Sequence, residues 1–199
     1  MVSIWYALFK WRISPATSEE LRKINVYCTQ AHGRLKNGDV GPGNRILARE
    51  LKKFWELNPR PILAQEEVAW ALEELSVPVH TVISEKMVRL NQSTGLSTSD
   101  WNTYVIAMEQ IKICVANKWD NAGVVAVPVH WGRAIAAYQK AAHDLRALFN
   151  PFMIPMPPDM REYMHPDLVP GGLLGIQTCP RFVMRELCCR LYFYHKGWI

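Results

Sequence analysis

Apolar residues along this chain recur at three- and four-residue steps, and that period narrows the fold more than any motif does. Trp101, Tyr104, Val105, Met108, Ile111, Val115 and Trp119 trace one stripe, opened by Ser97 with Asp100 and ended by Asn121-Ala122-Gly123. A face repeating every 3.6 residues buries itself as an amphipathic helix. The same pattern predicts helices elsewhere. Thr17 and Glu20 are spaced as a capping box, with Leu21, Ile24, Cys28 and Ala31 on one face and Gly33 as the stop. A second helix runs from Asn44 as N-cap to Asn58, and a third covers about residues 64–75. Val79, Val82, Ile83, Met87 and Leu90 trace a fourth. Trp131, Ile135, Tyr138, Ala142, Leu145 and Phe149 follow Pro128 in another, and a last one spans about residues 180–194. Val124-Val125-Ala126-Val127-Pro128-Val129 permits a short strand, but Pro128 suits a helix start better.

The expected fold class is therefore all-α: a single helical domain of about five to seven helices. An apolar N-terminal segment (1–13) precedes the helical core (14–150). A proline-rich extended arm (151–172), with six prolines between 151 and 170, leads to a C-terminal helix and tail (173–199). At 199 residues and 49% hydrophobic content, the chain can bury a core without staples. Its five cysteines are odd in number and irregular in spacing, which argues for a reducing compartment over a disulfide framework. Residues 1–12 lack the charge-first order of a signal peptide, and no run approaches the roughly 20 apolar residues that span a membrane. The expected location is cytoplasmic or within a virion, without membrane contact.

Charge is the strongest chemical signal. Residues 34–53 carry a net +4 and residues 54–99 a net −3, within a total of +5. At 100° per residue Arg45, Arg49, Lys52 and Lys53 share an arc of about 100°, roughly opposite Leu47, Leu51, Phe54 and Trp55. Arg34 and Lys36 extend the positive region into the preceding loop. Such a stripe suits phosphates, read without sequence preference and with strong salt dependence; a solvated helix face is the plain reading. The loop itself, HGRLKNGDVGPGNR (32–45), holds four glycines but lacks the Lys-Ser/Thr ending of a nucleotide cradle. It reads as a flexible lip on the basic surface.

Other constellations carry less. Cys28 and His32 have the spacing of two ligands on one helix, and Cys179, Cys188, Cys189 and His195 form a loose group. Without a CxxC pair these read as core cysteines, and no metal or cofactor is assigned. His130-Trp131-Gly132-Arg133 at a helix start has the makings of an anion site, but the preferred reading is that His130 and Arg133 are solvated first-turn residues and Trp131 is core. Glu66-Glu67 and Glu73-Glu74 look like a solvated flank, and His143-Asp144 diverge on a helix. GxSxG, HExxH and P-loop signatures are absent, so no catalytic residue is assigned and the chain is read as non-enzymatic.

Two hydrophobic segments complete the picture. Ile4, Trp5, Phe9 and Trp11 at one end, and Phe152, Ile154 and Met156 in the proline-rich arm, are expected to contact neighbouring copies or to fold into the chain's own core. The function expected from charge and arms together is a self-associating homo-oligomer. It would bind nucleic-acid backbone, RNA rather than DNA, in the manner of a viral nucleoprotein or coat subunit. The alternative is a helical adaptor that binds another protein and no nucleic acid.

Overall fold

Val26-Tyr27-Cys28-Thr29 offers an apolar or small side chain to both faces, and the protein uses it as a strand with all four residues buried. That choice is repeated four times along the chain and overturns the all-α expectation. The structure, a computed structural model, describes residues 13–84, 87, 103–163, 168–169, 187–188, 190–191 and 195. Helix α1 (Ser18–Lys23) leads to β1 (Val26–Thr29), a short strand β2 (Arg34–Leu35), and α2 (Pro42–Leu57). Strand β3 (Ile62–Gln65), α3 (Glu66–Glu74) and β4 (Thr81–Ile83) follow. Helix α4 (Thr103–Asn117) and β5 (Asn121–Val125) come next. A 3-10 turn (Pro128–His130) runs into α5 (Trp131–Asp144), and β6 (Asn150–Met153) closes the main sheet.

Five strands form that sheet in the order β4-β3-β1-β5-β6, every neighbouring pair parallel. Side chains alternate between two apolar cores. Tyr27, Ile62, Ala64 and Val125 face one side, packed by α2 and α3 through Leu47, Leu51, Val68 and Leu72. Val26, Cys28, Leu63, Ala122 and Val124 face the other, covered by Ala107, Ile111 and Cys114 of α4 and Tyr138 and Ala141 of α5. A parallel strand covered on both faces reads as a continuous apolar run rather than an alternation. Its four-residue length is indistinguishable by period from one helical turn. That is why residues 26–29, and residues 64–65 at the end of β3, fall inside predicted helices; residues 81–83 do so through their shortness alone, since Val82 is exposed.

The helices themselves are largely where the period places them. The Thr17–Glu20 capping box forms in both directions: the Glu20 N–H donates to Thr17 Oγ1 at 3.3 Å and the Thr17 N–H to Glu20 Oε2 at 2.7 Å. Helix α1 nevertheless stops at Lys23, because Ile24 is extended and the chain turns into the sheet. Asn44 is not an N-cap. Gly41 holds that place, with Pro42 in the first turn, and Asn44 lies one residue past Gly43 with its side chain turned back. The predicted fourth helix yields β4 instead, with Met87 helical; residues 88–102, including Trp101 and the NQSTGLSTS loop, lie outside the described residues. Leu187, Cys188, Arg190, Leu191 and His195 are helical, in keeping with the last predicted helix.

The proline-rich segment is not an arm reaching away. Its first residues are edge strand β6, and Met153, Ile154, Met156 and Tyr163 are buried in the chain's own cores. The Ala16 N–H donates to Met153 O at 2.8 Å, drawing the N-terminal approach across that edge. Further on, β7 (Leu168–Val169) pairs antiparallel with β2. Gly123 in β5 is required by close approach, since a Cβ there would meet Tyr27 at 2.8 Å and Ile154 and Ile24 at 3.0 Å. Among the described residues, no helix is long and apolar enough to cross a membrane.

Candidate anion-binding site

In an open parallel sheet, ligands collect at the carboxyl ends of the strands where the strand order reverses. Here that point lies between β1 and β5. The chain leaves β1 towards β3 through α2 on one face, and leaves β5 towards β6 through α5 on the other. The two loops that diverge there are residues 30–41 and 126–130.

The first loop is held by side chains rather than by regular structure. The Ala31 N–H donates to Gln65 Oε1 at 2.8 Å, and the Gln65 N–H donates to Thr29 Oγ1 at 3.0 Å. Asn44 accepts from the His32 N–H at 2.7 Å and donates to Gly33 O at 2.5 Å. A single amide thus ties the strand exit to the first turn of α2, and Gly33 supplies the left-handed φ of 70° at the turn. Gly43 gives His32 its seat, because a Cβ at 43 would lie 2.7 Å from the imidazole Cδ2. The second loop brings His130 and Trp131, whose indole N–H donates to Ala126 O at 2.9 Å.

The loops meet through their histidines. The rings of His32 and His130 stand 5.8 Å apart, inclined at 56°, and Tyr163 closes edge-on to His32 at 6.4 Å. Arg133 Nη2 sits 2.5 Å from His130 Nδ1 and 3.2 Å from its Nε2. His32 is buried, while His130, Arg133 and Gly33 are half-buried. Neither Gly41 before α2 nor His130 before α5 caps its helix with a side chain. Both helices start at this crest, so their positive ends add to the cationic side chains.

Beneath the crest lies a buried polar relay. The Gln30 amide donates to the Tyr138 hydroxyl at 3.2 Å, and that hydroxyl donates to Gln110 Oε1. Gln110 in turn donates to Thr29 O at 3.0 Å and Leu63 O at 2.9 Å, clamping β1 and β3 together. Burial pushes the phenol of Tyr138 well above its ordinary range, so it stays a neutral donor.

Four of the six predicted phosphate contacts, Arg34, Arg45, Lys52 and Lys53, are paired with carboxylates. Arg45 makes a two-pronged pair with Glu74 at 2.9 and 2.8 Å, which holds the Glu74 carboxyl below its ordinary range. Lys52 lies 3.7 Å from Glu56 and Lys53 2.8 Å from Glu50. Arg34 is paired with Glu67 at 2.9 Å, and Lys36 is exposed in the loop. Arg45 and Arg49 line a groove of about 470 Å³ with Glu74 and Glu162. Of the expected subunit contacts, Ile154 and Met156 are core residues and Phe152 packs against the core; Ile4, Trp5, Phe9 and Trp11 lie outside the described residues.

Cys28 and His32 do not share a helix face. Cys28 sits in β1 against Cys114 and Tyr138, its thiol pushed well up by burial, with Cys114 adding to the effect, whereas His32 lies past the strand end. Among the described residues no group of three His, Cys, Asp or Glu is placed to hold a metal; Cys179 and Cys189 lie outside them. Sequence spacing isolates the His130–Arg133 turn but not its meeting with His32, which depends on β1 and β5 being neighbours. No family model matches the chain, and no curated protein or solved structure matches it either.

Proposed function

We propose that this protein binds a small anionic ligand, bearing phosphate or a similar oxyanion, at the crest between β1 and β5. One observation carries the reading. His32 and the His130–Arg133 turn come from segments 98 or more residues apart and converge where α2 and α5 begin. Cationic and N–H donors so arranged favour an oxyanion over a neutral ligand. The crest is also where an open α/β sheet takes its ligands, although fold alone assigns no chemistry.

Thermal stability measured with inorganic phosphate, against chloride at matched ionic strength, tests this. Phosphate at 100 times its Kd raises stability by about 2.7 kcal/mol, and Arg133→Met with His130→Gln removes the gain. Equal melting in phosphate and chloride overturns the proposal.

The basic stripe supports a second reading, binding of nucleic-acid backbone by a self-associating chain, because Arg45 and Arg49 open onto one groove. That reading requires Arg45 to exchange Glu74 for a phosphate. Filter binding of single-stranded RNA at two salt concentrations separates the two: Arg45→Glu with Arg49→Glu abolishes RNA retention under the second reading and leaves small-anion binding intact under the first.

A further inference from the structure

Two arginine–carboxylate pairs in this molecule differ in a way that points to a ligand. On the outer surface, Arg45 and Glu74 pair fork to fork, Nε to Oε2 at 2.9 Å and Nη2 to Oε1 at 2.8 Å. Both carboxylate oxygens are used, which is the usual strong geometry. Beside the crest, Arg34 sends both Nε (3.2 Å) and Nη2 (2.9 Å) to the same oxygen of Glu67, Oε1. Oε2 of Glu67 is buried and has no hydrogen-bond partner among the described residues. The whole side chain is only 4% exposed. A desolvated carboxylate oxygen left unpaired costs more than an average hydrogen bond contributes, so such an atom calls for a donor.

The place and the charge narrow what that donor is. Glu67 is the second residue of α3, directly after β3, and β3 neighbours β1 in the sheet. Gln65 holds the Ala31 N–H and Glu67 holds Arg34, so the start of α3 grips both ends of the segment that carries His32. Arg34 and His32 are two residues apart, which limits their Cα separation to about 7 Å, so Glu67, through Arg34, stands beside the segment that carries His32. Arg34 already neutralises Glu67, approaches Glu66 at 3.7 Å, and lies 5.6 Å over the Trp70 ring. A second cation there would meet Arg34; a neutral hydroxyl meets no such repulsion.

Resting on the anion-site reading above, we infer that the crest selects phosphorylated polyols, Glu67 Oε2 accepting a ligand hydroxyl while His32, His130 and Arg133 hold the phosphate. A site built to hydrogen-bond a hydroxyl discriminates strongly against the analogue that lacks it. Calorimetric titration of the full chain with glycerol 3-phosphate and with n-propyl phosphate isolates the hydroxyls. The expected result is binding at least ~10-fold tighter for glycerol 3-phosphate, with the preference between the two esters lost in Glu67→Gln. Equal affinity of the folded wild type for the two esters overturns the inference and leaves the anion site standing. Binding of neither ester, nor of inorganic phosphate, overturns both. A preference that survives in folded Glu67→Gln places hydroxyl recognition elsewhere and overturns the assignment to Glu67. Should that variant fail to fold, Glu67→Asp, which keeps the charge and withdraws the oxygen, is expected to show the same loss of preference, and a retained preference refutes the role.

Discussion

Replacing Gly43 by alanine is a test in which two well-known effects oppose each other and the structure decides between them. In an ordinary helix, Ala in place of Gly stabilises by about 1 kcal/mol. Gly43 is in the first turn of α2, so propensity alone predicts a gain. The added Cβ, however, would lie 2.7 Å from His32 Cδ2 and 3.2 Å from both its Cγ and Cβ. Carbon atoms rest about 3.5–4.0 Å apart, so roughly 1 Å must be recovered by movement. Rotating the ring does not recover it, because the His32 Cβ is itself too close. The His32 main chain is anchored to Asn44, and its ring stands near those of His130 and Tyr163. Overpacking of this kind costs about 1–3 kcal/mol, which leaves a net loss of about 0–2 kcal/mol after the propensity gain. For a chain of this size 1 kcal/mol moves Tm by about 2–4 °C, so circular dichroism melting is expected to show a fall of up to about 8 °C. In the His32→Ala background the clash has no partner, and the same substitution is expected to be neutral or stabilising. A rise in Tm for Gly43→Ala alone, or equal effects in the two backgrounds, refutes the packing of His32 against α2.

Three further expectations follow from other parts of the structure. Gln110→Leu strands Thr29 O, Leu63 O and the Tyr138 hydroxyl in the core, and urea denaturation is expected to show a loss of about 2–4 kcal/mol; a change under about 1 kcal/mol contradicts the clamp. Burial pushes the Tyr27 phenol from 10.0 up to about 12, opposed by Arg60, so its stabilisation is complete below the unfolded value and is lost as pH rises from 10 towards 12. Tyr104, Tyr138 and Tyr163 are also raised, chiefly by burial, so phenolate absorbance should appear together with unfolding; independent titration of these phenols in the folded state argues against it. The Glu74 carboxyl, lowered by its hydrogen bonds from Arg45, adds stability that is present at neutral pH and lost as pH falls through its titration. The pair is half exposed and worth under about 1 kcal/mol, so Arg45→Met should flatten the acid limb of the stability profile slightly, and an unchanged limb denies the pairing.

Several helices were readable from the chain alone because one face of each packs and the other is wet. The residues of α3 and α5 fall within predicted helices, α2 begins at Pro42 just ahead of its predicted start, and the Thr17–Glu20 cap forms as spaced. Local chemistry suffices for such features: a 3.6-residue period and a reciprocal hydrogen bond involve only near neighbours. The strands were not readable for the opposite reason. Tyr27 and Cys28 point to different faces, yet both faces are core, so the alternation that marks a strand is erased. Only the valine-rich run at 124–129, whose first two residues end β5, left a trace of a strand.

Charge shows the same division. Sequence places Arg34, Arg45, Lys52 and Lys53 in a cationic region, but only the fold brings Glu67 to Arg34 and Glu74 to Arg45 across 33 and 29 residues. The candidate site is the extreme case. His32 and Cys28 look like partners at four residues' spacing, yet the strand end separates them, and His130, 98 residues away, is the true neighbour. Sequence by itself determined amphipathic helices, caps and the sign of local charge, because those depend on residues within a turn of one another. Strand order, the partner of each cation and the meeting of the two histidines were decided by the tertiary structure, because hydrogen-bond pairing and burial between distant segments have no local period to read.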